Sequence, residues 1–126
     1  MAIKNPYAQY KQNSILTASP EELTLMLYEG MIKFINMAKL YIEEKNMEKA
    51  HHANVRAQDI VMELNVTLNM DYEISQNLRS LYSYMYRRLV DANVKKDTAI
   101  LDEVLEIAAE LRDAWKEAMK IAKKSR

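Results

Sequence analysis

Cysteine is absent from the 126-residue sequence, which removes disulfides and thiolate chemistry and fits a reducing compartment. Glycine occurs once and proline twice, with both prolines, Pro6 and Pro20, in the first 20 residues. No Pro-rich or Gly-rich turn therefore interrupts the chain after Pro20, and helix is favoured almost everywhere. No uninterrupted apolar run approaches the roughly 20 residues that a membrane span needs. The opening Met1-Ala2-Ile3-Lys4-Asn5-Pro6 lacks an apolar stretch of signal-peptide length, so the expected location is the cytosol, without membrane insertion. An excess of either charge is missing too: 18 basic residues balance 18 acidic ones, leaving no broad positive field to collect nucleic acid or anionic lipid. The local basic cluster Lys120, Lys123, Lys124 and Arg126 reads as a solvated helix end whose cations suit the negative pole of the dipole.

What is present is helical patterning, in a length that suits one domain. Residues 1–18 hold Tyr7, Tyr10, Ile15 and Leu16 without a sustained period and are expected to form an arm; residues 19–126 are expected to form the bundle. Ser19-Pro20-Glu21-Glu22 supplies an N-cap serine, proline at the first helical position and a glutamate that closes a capping box. From there Leu23, Leu27, Gly30, Phe34, Ala38 and Tyr41 recur at steps of three and four and mark a core face running to about Glu44. Gly30 costs about 1 kcal/mol inside a helix, which predicts close helix contact there.

Asn46 can cap a second helix with inner face Ala50, Ala53, Ala57, Ile60, Val61, Leu64 and Leu68, ending before Asn69-Met70-Asp71. A third, from about Tyr72 to Val94, buries Ile74, Leu78, Leu81, Tyr82, Met85 and Leu89. Asp97 can cap a fourth, whose stripe is Leu101, Val104, Ala108, Leu111, Trp115, Ala118 and Ala122. Short links force neighbours to run antiparallel, so the expected fold is all-α, an up-down-up-down four-helix bundle.

The first two helices carry more apolar residues than one core face needs. Leu25, Tyr28, Ile32 and Ile35 lie roughly 80° to 160° from Leu27, and Val55, Met62 and Val66 lie nearly opposite Ala57. Tyr86 and Val90 flank the third core face, and Tyr84 points outward. Contiguous exposed apolar residues usually mark an interaction surface, and nine methionines suit adaptable contacts. A covering arm that places Tyr7, Tyr10 and Ile15 over the stripes accounts for the same residues, and a client can displace such an arm.

Catalysis finds no comparable footing. Glu48-Lys49-Ala50-His51 has the Glu-x-x-His spacing of di-iron bundles, but such a site needs two copies and the only other histidine is the adjacent His52. No phosphate loop or zinc-spaced histidine pair occurs, so no enzyme, metal or cofactor is expected.

The stretch Asn5-Pro6-Tyr7-x-x-Tyr10-x-x-Asn13-Ser14-Ile15-x-Thr17-Ala18-Ser19-Pro20-x-Glu22-Leu23-x-Leu25-Met26-Leu27-Tyr28-Glu29-Gly30 resembles the start of the flagellar export chaperone family FliS. Ala57-Gln58-Asp59-Ile60-Val61-x-Glu63-Leu64, Asn77-Leu78-x-x-Leu81-Tyr82-x-Tyr84-Met85-x-x-Arg88-Leu89 and Leu111-Arg112-Asp113-Ala114-Trp115 resemble its other helices. Glu29, where aspartate is usual, and Met31, where a small residue is common, depart from the pattern. The resemblance implies a cytoplasmic chaperone that holds the disordered C-terminal segment of flagellin, prevents premature polymerisation and delivers the subunit to the type III export gate. With it, the client-binding set is expected to be Tyr7, Tyr10, Leu25, Tyr28, Ile32, Ile35, Val55, Met62, Val66 and Tyr86. A weak homodimer is among the expected partners, and a self-associating structural protein is the competing reading.

Overall fold

A computed structural model describes residues 18–125, and these contain four α-helices: α1 (Pro20–Glu43), α2 (Met47–Val66), α3 (Ser75–Lys95) and α4 (Thr98–Lys124). The starts follow local chemistry. Ser19 Oγ accepts the Glu22 backbone N–H at 3.2 Å and donates to the Glu22 carboxylate at 3.1 Å, with Pro20 in the first turn. Asn46 Oδ1 accepts from Lys49 N at 3.2 Å, and Asp97 Oδ1 accepts from Ala99 N at 2.9 Å, capping α2 and α4.

The tight links are built on left-handed residues. Lys45 has φ 60° and follows α1; its N–H donates to the Ile42 carbonyl while Asn46 N–H reaches the Tyr41 carbonyl at 2.8 Å. That pair of bonds satisfies orphan carbonyls and turns the chain straight into α2. Lys96, with φ 51°, does the same between α3 and α4, where Asp97 N–H reaches the Ala92 carbonyl.

The α2–α3 link is longer than the sequence reading allows. Asn69 Oδ1 accepts from Asp71 N at 3.0 Å, and Ser75 Oγ donates back to the Asn69 carbonyl, so residues 67–74 stay outside the helices. Tyr72, the expected start of the helix, and Ile74, expected in its buried face, are therefore exposed.

Each helix packs on two others in a closed ring, α1 on α2, α2 on α3, α3 on α4 and α4 on α1. At the centre Met31, Ile35, Val61, Met85, Leu89, Leu101 and Val104 are fully buried. The alanine face of α2 is buried as expected, and Gly30 sits where a Cβ would lie 3.3 Å from Ile60 Cδ1, confirming close approach of α1 and α2.

The core face of α1 is rotated by roughly 90° from the expected one, at 100° per residue. Tyr28, Met31, Ile35 and Ala38 are its buried residues. Leu27, Phe34 and Tyr41 pack beside them, and Leu23 is exposed. Phe34 and Tyr41 belong to the α1–α2 edge, where Arg56 lies 4.9 Å from the Phe34 ring centroid and Lys49 lies 5.8 Å from that of Tyr41.

At the far end α4 outlasts its neighbours. Trp115 Nε1 donates to the Glu21 carbonyl at 2.9 Å, so Trp115 is level with the first turn of α1. Later turns of α4 pass that level, which explains why Ala118, Ile121 and Ala122 are exposed although the seam pattern assigns Ala118 and Ala122 to the core.

Candidate protein-binding surface

The outer apolar residues divide between two seams on opposite sides of the ring. On α1, Leu25, Ile32 and Lys39 are spaced by seven and share one side of the helix. Lys39 Nζ reaches the Asp102 carboxylate of α4 at 2.5 Å, so Leu25 and Ile32, both half-buried, belong to the α1–α4 seam. On α2, the side bearing Asn54 and Asn65 faces α3: Asn54 Nδ2 donates to the Leu89 carbonyl at 3.1 Å, and Asn65 Oδ1 accepts from Arg79 Nε at 3.3 Å. Val55, Met62 and Val66 flank that side; Met62 is 50% exposed and Val66 76% exposed.

Between α2 and α3 a cleft of about 340 Å³ is lined by Val61, Met62, Asn65, Tyr82, Ser83, Tyr86 and Arg87. It brings Met62 and Tyr86 of the expected set together. Two other members of that set need correction as outer residues. Ile35 is fully buried and Tyr28 is buried in the core, because the rotation of α1 turns both toward the bundle axis. Tyr7 and Tyr10 lie outside the described residues.

A second cleft, of about 490 Å³, opens at the end of the bundle between the first turns of α1, the α2–α3 link and Trp115. Pro20, Tyr28, Leu68, Tyr72, Ile74, Leu78 and Tyr82 line it with Trp115, whose ring meets Tyr28 edge-on at 6.5 Å. Sequence periodicity missed this site because Tyr72 and Ile74 are loop residues there. Tyr82 contributes to both clefts, and its hydroxyl shares a hydrogen bond with that of Tyr28. Burial pushes both phenols above their ordinary pKa.

Residues 3–122 match the family described as Flagellar protein FliS. The chain belongs to the FliS family. It is 51% identical over 126 residues to the flagellar secretion chaperone FliS of Bacillus subtilis (strain 168), spanning 100% of this chain and 95% of the relative. The flagellar secretion chaperone FliS of Escherichia coli (strain K12) is 33% identical over 117 residues, spanning 90% of this chain and 86% of that one. A solved structure described as a flagellar chaperone from bacteria superposes with a TM-score of 0.76 at 19% identity, over 91% of this chain and 98% of its own, and shows the same fold.

This FliS-family chain is accordingly a flagellar export chaperone of all-helical architecture. The Glu-x-x-His segment of this FliS chain does not converge: His51 Nδ1 pairs with Asn93 Nδ2 at 2.8 Å, while Glu48 lies 4.0 Å from His52. Among the described residues no helix is long and apolar enough to cross a membrane. Tyr84, expected to point outward, donates to Glu103 at 2.8 Å beside Arg88, which also reaches Glu103 at 2.8 Å, and so ties α3 to α4. These two bonds hold the Glu103 carboxyl below its ordinary pKa, Arg88 contributing most.

Proposed function

We propose that the chain holds the disordered C-terminal segment of flagellin in the cytosol, keeps it from polymerising prematurely and presents it to the flagellar export gate. The observation that supports this is the α2–α3 seam, where Val55, Met62, Val66 and Tyr86 leave an apolar row around an open cleft. An amphipathic helix can lay its apolar stripe into such a groove. A client that is disordered when free orders as it binds, and that entropy keeps affinity moderate enough for release without a nucleotide. Leu25 and Ile32, on the opposite seam, offer a second row to a client long enough to wrap the bundle.

The arm, residues 1–18, belongs to the same reading. Pro20 and Glu21 line the end cleft, which supports reading Tyr7 and Tyr10 as candidates to fill the aromatic space between Tyr72 and Trp115 until a client displaces them.

Isothermal titration with a peptide of the C-terminal ~50 residues of the same cell's flagellin tests the proposal, since coupled folding onto an apolar groove gives a negative heat-capacity change. Saturable one-to-one binding with that signature supports it. Absence of binding at tens of micromolar, with mass that rises with concentration, replaces it with self-association through the same seams.

A further inference from the structure

The α2–α3 groove is electrically lopsided in a chain whose formal charge is zero. Arg87 lines the cleft, and Arg79 bounds one end through its bond to the neutral amide of Asn65. Among the described residues neither guanidinium enters an ion pair, whereas Arg88 on the α4 side of the same helix holds both Asp91 and Glu103. Among the described residues no carboxylate lines the cleft. The acids of α2 nearest to it, Asp59 and Glu63, are rotated about 60° and 100° from Met62, at 100° per residue, on the side turned away from α3, so they flank the apolar row and not the arginine edge.

Two exposed guanidiniums on the α3 edge of an apolar floor, without an ion-pair partner among the described residues, describe the complement of a particular ligand. Arg79 and Arg87 are eight residues apart on α3, about 12 Å along the axis at 1.5 Å per residue and about 80° apart around it, Arg79 bonded across to α2 and Arg87 on the lip of the cleft. We propose that the groove selects an amphipathic helix carrying two carboxylates seven or eight residues apart on the flank that meets α3, one for Arg79 and one for Arg87. The apolar stripe of that helix covers Met62 and Tyr86, and the acid pair sets its register and direction. This proposal deepens the chaperone reading and rests on it. Arginine suits the task because its planar fork takes a carboxylate in two parallel bonds.

The test uses the full-length chain and the flagellin C-terminal peptide, with binding followed by fluorescence anisotropy at low and high salt. Arg79→Glu with Arg87→Glu is expected to weaken binding by roughly three- to tenfold at low salt, with the difference shrinking as salt screens the rim. Each Asp and Glu of the peptide is then reversed to Lys. Two positions seven or eight apart are expected to weaken binding to the parent and to restore it to the doubly reversed chaperone. Unaltered binding by the Arg variant, or restoration at no peptide position, overturns the proposal. Met62→Asp separates the two readings: if it abolishes binding while the Arg variant binds normally, the groove stands without its charge code. If Met62→Asp binds like the parent, the groove itself is not the client seat, and both readings fall.

Discussion

Tyr28 of α1 and Tyr82 of α3 meet hydroxyl to hydroxyl inside the bundle, each about 2% exposed, from opposite corners of the helix ring. Each phenol is the other's hydrogen-bond partner, so the pair is satisfied only as a pair. Removing one hydroxyl leaves its partner buried and unpaired, which costs about 1–3 kcal/mol; removing both leaves an apolar contact of similar shape. Tyr28→Phe and Tyr82→Phe are each expected to destabilise by that amount in urea unfolding, and the double variant by clearly less than their sum. Additive losses in this cycle would show that the two hydroxyls are not coupled.

The same pair makes the protein sensitive to alkali. Burial is the largest cause of the upward shift in both phenols, and for Tyr82 the hydrogen bond and charge of Tyr28 add to it. A phenol with a raised folded pKa stays protonated in the native state while its unfolded counterpart ionises above the ordinary value of 10.0. Its contribution is therefore complete below that pH and lost as pH rises toward the folded value, at about 1.4 kcal/mol per pH unit for each phenol. Melting temperatures measured from about pH 8 to 11 are expected to fall most steeply above 10, and less steeply in the Tyr28→Phe, Tyr82→Phe double variant.

Lys45 occupies the left-handed region at φ 60°, where a side chain is strained and glycine is not. It is exposed and forms no ion pair among the described residues, so its backbone is what matters. Lys45→Gly is expected to raise stability by about 0.5–1 kcal/mol, a few degrees in Tm, while Lys45→Ala gains nothing. A Gly variant that melts below the parent would mean that loss of chain entropy outweighs relief of strain.

Three of the four helix starts were legible because caps are local: Ser19, Asn46 and Asp97 each bond backbone N–H groups within three residues, whereas α3 begins at Ser75 without a side-chain cap and not near Tyr72 as expected. The inner face of α2 was legible because its alanines leave one small-residue side. The orientation of α1 was not, since Leu23, Leu27, Phe34 and Tyr41 obey helical spacing as well as Tyr28, Met31, Ile35 and Ala38 do. Period alone cannot choose between two apolar stripes. The choice is made by partners far away in sequence, Tyr82 above all, and it carried Tyr28 and Ile35 from the expected outer surface into the core. Dividing the outer residues between two seams likewise required knowing that Lys39 meets Asp102 and that Arg79 meets Asn65.

That division yields a double dissociation between folding and client binding. Ile35 has 0% exposure and Met62 50%, although both belonged to one expected surface. Ile35→Ala empties a packed site and is expected to cost about 2–4 kcal/mol of unfolding free energy. Because Ile35 does not reach the groove, the folded fraction should bind the flagellin peptide with unchanged affinity. Met62→Asp places a charge in solvent near Arg87 and should change stability by no more than about 0.5 kcal/mol, while it puts a desolvated carboxylate under the client's apolar stripe. Peptide titration is therefore expected to fail for Met62→Asp at concentrations where Ile35→Ala still saturates. If instead Ile35→Ala loses affinity while it remains folded, α1 must turn in the complex to bring that side chain to the surface, and the client would be reading the stripe that the free bundle hides.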